Sequence, residues 1–488
     1  MGGTTITDRS RRAAPGRRSC VLAAALFVAI AIGALGASPA TAARGLTTGF
    51  TDDDVFNSGD ASVRSQWFKR AAEARAGIVR VTVNWRGTVG ANPPARPTSP
   101  ADPAYRFARL DAIIRSARAR GLQVMLTVYR APAWAEGRNR PGNVEPGAWK
   151  PNPAAYGQFA QALARRYSGR FLNLPRVRYF EAWTEPNLTQ FLAPQWVGKR
   201  KVSPRHYRAM VNRFYAGVHA AQPGATVIAG ATSSFGDPRK HPLYPSHPRM
   251  RPLVFLRGVL CLDAHLKRAR KCKGKAHLDA LSAHPLNFNN PPRYIPHSKN
   301  DLQVAVFGRV RKVLRAAQRA GTVRPGGRHA LWASEEGMLS RPPNPLGARP
   351  KKHARWLEEA LYLLWKQGAS VVVNLWIRDP DYDRHRSPNG QWTTGVYFHD
   401  GRPKPALRAW RFPFVTHRKS KRQVSAWGKT PLGGKLRIQQ KRHGHWRTRK
   451  RITVHAGQVF RPSFRLRGTA TLRARVGKTT SLPWHQRG

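Results

Sequence analysis

Between residues 46 and 414 short apolar runs alternate with longer stretches of helical spacing, and that order constrains the fold more than any other feature of the chain. The runs that read as strands are LTTGF (46–50), IVRVTVNW (78–85), LQVMLTVY (122–129), VRYFEAW (177–183), TVIAG (226–230), LDALSAH (278–284), ALWASEE (330–336) and SVVVNLW (370–376). Between them lie segments such as YRFARLDAIIRSARARG and HARWLEEALYLLWKQG, whose apolar residues recur at helical intervals. A weaker helix falls around 251–260. Gly77, Gly121, Gly321 and Gly368 sit where helices should stop before the next strand. Eight strands alternating with helices over this length predict an α/β fold, a (β/α)8 TIM barrel with parallel strands inside a ring of helices. A doubly wound sheet shares the order, but no glycine-rich loop follows the first strand.

The two ends of the chain read differently. Arg9, Arg11, Arg12, Arg17 and Arg18 precede the apolar run CVLAAALFVAIAIGALGA, and SPATA supplies Ala40 and Ala42 in a small-residue cleavage pattern. Residues 1–42 therefore read as a secretory signal peptide; the run is short and Ala-rich for a spanning helix. An uncleaved anchor is the competing reading, and the one that would make a membrane a partner. The barrel is assigned to 43–414. After it, HRKSKRQ reads as a basic linker, and KLRIQQKR, HWRTRKRITV, VFRPSFRLRG and ATLRARVG as short alternating strands divided by Gly and Pro. Residues 415–488 are expected to form a small, basic, all-β (sandwich-like) module. It contains no Asp or Glu. Alternation would put its Arg and Lys on one face, either a solvated surface or a dock for an anionic cell-wall polymer.

The net charge of +62 is spread along the whole length rather than gathered in one tail. With no RNP aromatics, zinc-finger spacing or basic zipper, it does not indicate a nucleic-acid partner. Of three cysteines, Cys20 belongs to the signal. Cys261 and Cys272 could close a loop by a disulfide in an oxidising destination, or stay as two buried thiols. Two cysteines alone do not hold zinc, so no metal site is assigned and no cofactor is expected. The acidic stretch DPDYD (379–383) lacks the glycine and downstream glutamate of a calcium loop and reads as solvated.

In a barrel of this type the chemistry sits at the C-terminal ends of the strands. Glu185 follows the fourth run, and the pair Glu335-Glu336 ends the seventh, so both fall at the same rim. Glycoside hydrolysis needs such a pair: one acid to protonate the leaving oxygen and one carboxylate to attack or activate water. Alternation points Glu335 and Glu336 to opposite sides and does not choose between them. Glu185 alone could equally be the acid at a helix start, with Pro186 in its first turn.

WTEPN resembles the W-N-E-P-N signature of clan-A glycoside hydrolases, and the longer YFEAWTEPNLTQF most resembles family 39, with family 5 close behind. Ser334-Glu335-Glu336-Gly337 is similar to the T-E-x-G that ends strand seven in that clan. The resemblance covers most of residues 46–414 and none of the C-terminal module. It implies Glu185 as acid/base and Glu335 as nucleophile. It also implies that Arg80, in GIVRVTVNW, approaches Glu335 and keeps it ionised; pairing with Glu181 is the alternative. His284, in SAHPLN, matches the strand-six H-P-Y motif, although an isolated histidine there would also serve as a buried core residue. Trp376 matches the tryptophan that floors the sugar subsite, and RPKPALRAW resembles the closing K-P-A segment. Trp85 and Trp134, near strand ends, suit stacking on sugar faces, a role that barrel packing can also claim.

Two positions depart from the clan. Thr184 stands where an Asn contacts the sugar 2-hydroxyl, offering one hydroxyl in place of a two-ended amide. Leu286 replaces the tyrosine of the strand-six motif. The expectation is a secreted, extracellular, retaining glycosidase acting on a β-linked oligo- or polysaccharide by double displacement, with its carboxyl groups about 5–5.5 Å apart. The alternative is a non-catalytic carbohydrate-binding or cell-wall-associated protein on the same barrel.

Overall fold

The computed structural model describes residues 43, 45–237 and 248–488, so the expected signal peptide lies outside the described residues. All eight expected runs are strands: β1 Thr47–Thr51, β2 Ile78–Asn84, β3 Gln123–Tyr129, β4 Tyr179–Ala182, β5 Thr226–Thr232, β6 Ala280–Ala283, β7 Ala330–Glu336 and β8 Val371–Leu375. Each pairs in parallel with its neighbours in chain order, and β8 returns to β1 to close the barrel. The connecting helices are α1 Ala61–Glu73, α2 Ala108–Arg118, α3 Pro153–Arg166, α4 Ser203–Ala221, α5 Pro252–Val259, α6 Gly308–Arg319 and α7 Pro350–Lys366, with α8 Pro405–Arg411 after β8.

Local chemistry explains several of these boundaries. The Asn152 side chain accepts from the backbone N–H groups of Ala154 and Ala155, and Pro153 occupies the first turn of α3, where its missing N–H costs nothing. Gly121 and Gly368 end α2 and α7 with φ of +74° and +103°, conformations that a side chain disfavours. Inside the barrel, Ile78, Met125, Ile228, Ala280, Trp332, Val371 and Val373 form an apolar plug. A larger core fills the space between strands and helices. The plug gives the strand ends a rigid base, and rigid strand ends can hold functional side chains.

The basic segment HRKSKRQ is not a linker. It lies within an antiparallel hairpin of strands Phe414–Ser420 and Gln423–Lys429. Its charges face outward while Val415 and Trp427 are buried, a period-two pattern that the density of Arg and Lys conceals. Trp427 packs against Tyr362 and Trp365 of α7 with ring centroids 5.5 and 5.6 Å apart, and Lys429 Nζ donates to Thr48 Oγ1 at 2.8 Å. The remaining strands complete two antiparallel sheets around Phe414, Val424, Leu436, Ile438 and Leu472, as expected of an all-β module. This module is fused to the barrel by a shared apolar contact, and the two belong to one compact unit. Cys261 and Cys272 form a disulfide. No helix among the described residues is long and apolar enough to cross a membrane.

Candidate active site

The rim at the C-terminal ends of the strands is where the backbone is strained. Trp183 and Glu185 after β4, Ala231 in β5 and Trp376 after β8 have φ of +72°, +40°, +39° and +66°. Left-handed conformations at non-glycine residues cost roughly 1–3 kcal/mol each and persist where surrounding packing imposes them. At β4 the strained turn is pinned by the Glu185 N–H donating to Ala231 O at 2.8 Å and by Trp183 Nε1 donating to Phe191 O at 2.8 Å.

Below the rim runs a buried polar network. Arg80 on β2 donates through Nε to Glu181 Oε2 at 2.8 Å, through Nη1 to Glu335 Oε1 at 2.7 Å and through Nη2 to Thr184 Oγ1 at 3.1 Å. Both partners that the sequence offered for Arg80 are therefore engaged at once. Glu181 also accepts from Thr127 Oγ1 at 2.8 Å and Ser282 Oγ at 2.9 Å. Burial works to raise the Glu181 carboxyl, but the charges of Arg80 and His284 and the hydrogen bond from Arg80 outweigh it, holding the group below the usual carboxylate range. Glu181 is a fixed anion that aims the Arg80 guanidinium.

His284, fully buried at the end of β6, places Nδ1 3.1 Å from Glu185 Oε1 and 3.6 Å from Glu335 Oε2. Burial opposes its charging, but the facing carboxylates prevail and raise its pKa. One donor atom from each of Glu185, His284 and Glu335 lies within 4.8 Å of the others. These are ligand types that metal ions use. Arg80, 2.7 Å from Glu335, already puts a fixed positive charge beside that carboxylate, and a divalent ion would have to meet it.

The two adjacent glutamates are distinguished by a bulge. The pairing of β7 with β8 shifts register between Ala333 and Glu336, and a bulge re-aims the side chains around it. Glu335 turns to the cleft with its side chain 14% exposed, whereas Glu336 is fully buried with neither carboxyl oxygen partnered among the described residues. Burial pushes the Glu336 carboxyl up to about 8. Burial also raises the Glu335 carboxyl, against the pull of His284 and Arg80. Arg80 favours the ionised form of Glu335, as the resemblance implies, but desolvation is the larger effect.

Arg80, Thr184, Glu185, Glu335 and Trp376 line one cavity of about 230 Å³, with His284 holding the two glutamates from behind. Trp85 does not reach it. Strand β2 ends at Asn84, whose side chain caps a four-residue helix beginning at Trp85. That turn carries the indole onto Tyr156 and Phe159 of α3, where it is 0% exposed. Trp134 stacks edge-on against Trp85, 6.0 Å away, and is likewise absent from the cavity wall. Trp85 is a packing residue and its candidacy for sugar stacking is withdrawn; Trp134 is half-buried and stands off this cavity. The cavity instead gains Tyr129, Phe191 and Trp392, which the strand pattern did not nominate. Tyr129 ends β3 and could have been found by the strand-end rule. Phe191 and Trp392 come from loops, where no periodicity marks a direction.

No protein-family model matches the chain, and no curated protein matches it. Among solved structures, a family 39 glycoside hydrolase from the gut symbiont Bacteroides cellulosilyticus WH2 is similar, with a TM-score of 0.53 and 16% identity over 87% of this chain and 79% of that one. The GH39 enzyme from Xanthomonas axonopodis pv. citri follows with a TM-score of 0.49 and 14% identity over 88% and 94%. GH5_18 from Streptomyces cattleya, in complex with GlcNAc, has a TM-score of 0.48 and 18% identity over 76% and 81%. At such identities the likeness is one of fold: the chain has the barrel architecture seen in the family 39 structure.

Proposed function

We propose that this protein is an exported, retaining glycosidase that cleaves β-linked glycosides through Glu335 and Glu185. The observation that carries the reading is the approach of their carboxylate oxygens to within 4.8 Å. Retaining enzymes hold their carboxyl groups about 5–5.5 Å apart, whereas inverting ones need roughly 6.5–9.5 Å to admit a water. In the first step Glu335 Oε attacks the anomeric carbon, the glycosidic C–O bond breaks, and the leaving oxygen takes the proton of Glu185. In the second, Glu185 takes a proton from water, whose oxygen attacks the same carbon and releases Glu335 as carboxylate. Arg80 places positive charge beside Glu335 at both stages, and His284 sets its Nδ1 between the two carboxyl groups. Trp376 supplies an apolar wall for the ring. The Cys261–Cys272 disulfide suits the oxidising destination that the N-terminal segment implies.

The test is a screen of chromogenic β-glycosides with the protein beside Glu185→Gln and Glu335→Gln, followed by the anomeric configuration of the first product by NMR. Retention, with turnover abolished in Glu335→Gln and reduced in Glu185→Gln according to how far the leaving group needs a proton, is the expected result. Inversion refutes the mechanism, and glycan binding without turnover favours the carbohydrate-binding alternative.

The C-terminal module adds a second contact with a glycan wall in this reading. Arg422, Arg442, Arg449, Arg465 and Arg467 surround a crevice of about 570 Å³. Arg418 braces it by donating to the carbonyls of Lys421, Leu466 and Gly468. Five guanidinium groups in a module without carboxylates favour an anionic polymer. Retention on an acidic-polysaccharide column, weakened in Arg442→Ala/Arg467→Ala, is the expected outcome; elution at the same salt as the wild type sinks the idea.

A further inference from the structure

Two motifs of the sequence stand outside the site: the acidic stretch DPDYD and the segment RPKPALRAW. The fold brings them together. Asp381 and Asp383 are exposed, as a solvated stretch should be. Asp379 is not: its side chain is 0% exposed, as is that of Lys404, whose Nζ lies 2.5 Å from Asp379 Oδ2. The solvated reading of DPDYD is corrected at that residue.

Lys404 is a fixed point. It immediately precedes α8, where Ala406, Leu407, Ala409 and Trp410 are buried and the Trp410 ring packs on Phe50 of β1 with centroids 4.8 Å apart. From there the ammonium holds two loops. One follows β8: Asp379 Oδ1 accepts from the Gly395 N–H at 3.0 Å, and the Lys404 N–H donates to Val396 O at 3.0 Å. The other follows β7: Lys404 Nζ donates to Ser340 Oγ at 2.7 Å. Ser340 in turn clasps Thr393. Its N–H and its Oγ both donate to Thr393 O at 2.9 Å, and Thr393 Oγ1 donates back to Ser340 O at 2.9 Å. The residue before Thr393 is the half-buried Trp392. It lines the cavity that holds both glutamates and also a neighbouring one of about 580 Å³ beside Glu185.

Stability alone does not call for charges here. Taking two ions out of water is costly, and an apolar pair of similar volume often serves a folded state as well or better. What the ions add is direction. An ammonium and a carboxylate present several donors and acceptors, and each one left unmatched in a buried place is penalised. Apolar packing loses uniqueness of arrangement before it loses stability.

We propose that Lys404 and Asp379 are positioning residues: the pair, acting through Ser340 and Thr393, fixes the orientation of the Trp392 indole and with it the affinity of the cavity for its sugar. This rests on the glycosidase reading and adds to it a determinant remote from the reacting atoms.

Lys404→Met/Asp379→Asn removes both charges and keeps an oxygen for the Gly395 N–H, and Trp392→Ala removes the wall. On the glycoside selected by the chromogenic screen, each should raise KM by about 10-fold with kcat nearly unchanged, since the lost contact serves substrate and transition state alike. The triple variant should be no worse than Trp392→Ala, because the pair acts through that ring. The acidic limb of the pH profile should stay in place, as Arg80 and Glu335 are untouched. Ser340→Ala cuts the link while the buried charges stay paired; it should raise KM by about 3-fold, and it decides the matter if the charge-free variant does not fold. In protein labelled with 5-fluorotryptophan, the Trp392 resonance, identified by its loss in Trp392→Phe, should shift or broaden in the charge-free variant and in Ser340→Ala. Losses that multiply in the triple variant overturn the proposal, as does a Trp392 resonance that stays where it was. Absence of turnover on every glycoside removes the glycosidase reading, and the resonance then decides whether the pair holds the ring.

Discussion

Glu185 and Glu335, 150 positions apart in the chain, bring carboxylate oxygens within 4.8 Å of each other across the mouth of the barrel. His284 Nδ1 stands between them, and Arg80 secures Glu335 from below. The proposed reaction asks opposite protonation states of the two, with Glu335 ionised while Glu185 still carries its proton.

Removing either group should separate the two roles. Glu335→Gln abolishes turnover on every substrate, because no covalent intermediate forms. Glu185→Gln lowers kcat/KM by about 10²–10⁴-fold on alkyl glycosides, which need the proton, and by much less on nitrophenyl glycosides, which do not. Glu336→Gln retains activity. Steady-state kinetics on both substrate types check all three.

The activity profile should bear the mark of burial at Glu335. Its carboxyl is raised above the ordinary value, so activity climbs as pH rises through that elevated value and falls below it. Arg80→Gln removes the cation that favours the carboxylate form, so the acidic limb of kcat/KM moves to higher pH. It also leaves Glu181 as an uncompensated buried charge, a loss of about 3–5 kcal/mol. Arg80→Lys keeps the charge but cannot reach three partners, so the limb stays in place while the rate drops. An acidic limb that fails to move in Arg80→Gln contradicts this account.

Glu336 should make stability fall with alkalinity. Its folded value, pushed up to about 8, lies above the ordinary glutamate value. The folded state thus holds the proton more tightly, and the contribution is fully present below the unfolded value and lost as pH rises through the folded one. Glu336→Gln should therefore show a Tm less sensitive to pH between about 5 and 8, by a few degrees. Parallel melting curves for the two proteins across that range would remove the explanation.

Thr184 sits at hydrogen-bond distance from Arg80 Nη2 with its hydroxyl on the cavity wall. Thr184→Asn supplies a longer, two-ended side chain at that wall. It is expected to raise kcat/KM several-fold on substrates bearing a 2-hydroxyl, about the worth of one hydrogen bond, and not on their 2-deoxy analogues. Equal effects on both substrates would show that the contact lies elsewhere.

Much of the architecture is legible in the chain. Each barrel strand announces itself as a short apolar run, and parallel strands joined by amphipathic helices leave few ways to close a sheet. The motif resemblance supplies Arg80, Thr184, His284 and Trp376, while the strand-end rule brings Glu185 and the Glu335-Glu336 pair to one rim without reference to tertiary contacts. It also nominates Trp85 and Trp134, because it knows where a strand ends but not which way the next turn leaves. The hairpin beginning at Phe414 was hidden by charge, since its burial is decided by α7, which lies far away in sequence.

What the amino-acid order determined was periodicity: eight strands, their helices, a basic β module and acids at two strand ends. The folded structure decided direction. Alternation along β7 is a rule between adjacent residues, and the bulge that breaks it exists only where β7 meets β8, so the pairing of two strands selects Glu335 over Glu336. Likewise, the three partners of Arg80 come from two other strands and the turn after β4. Side-chain spacing is set by covalent geometry within a strand, but cavities and charge clusters arise between strands, where no local rule reaches.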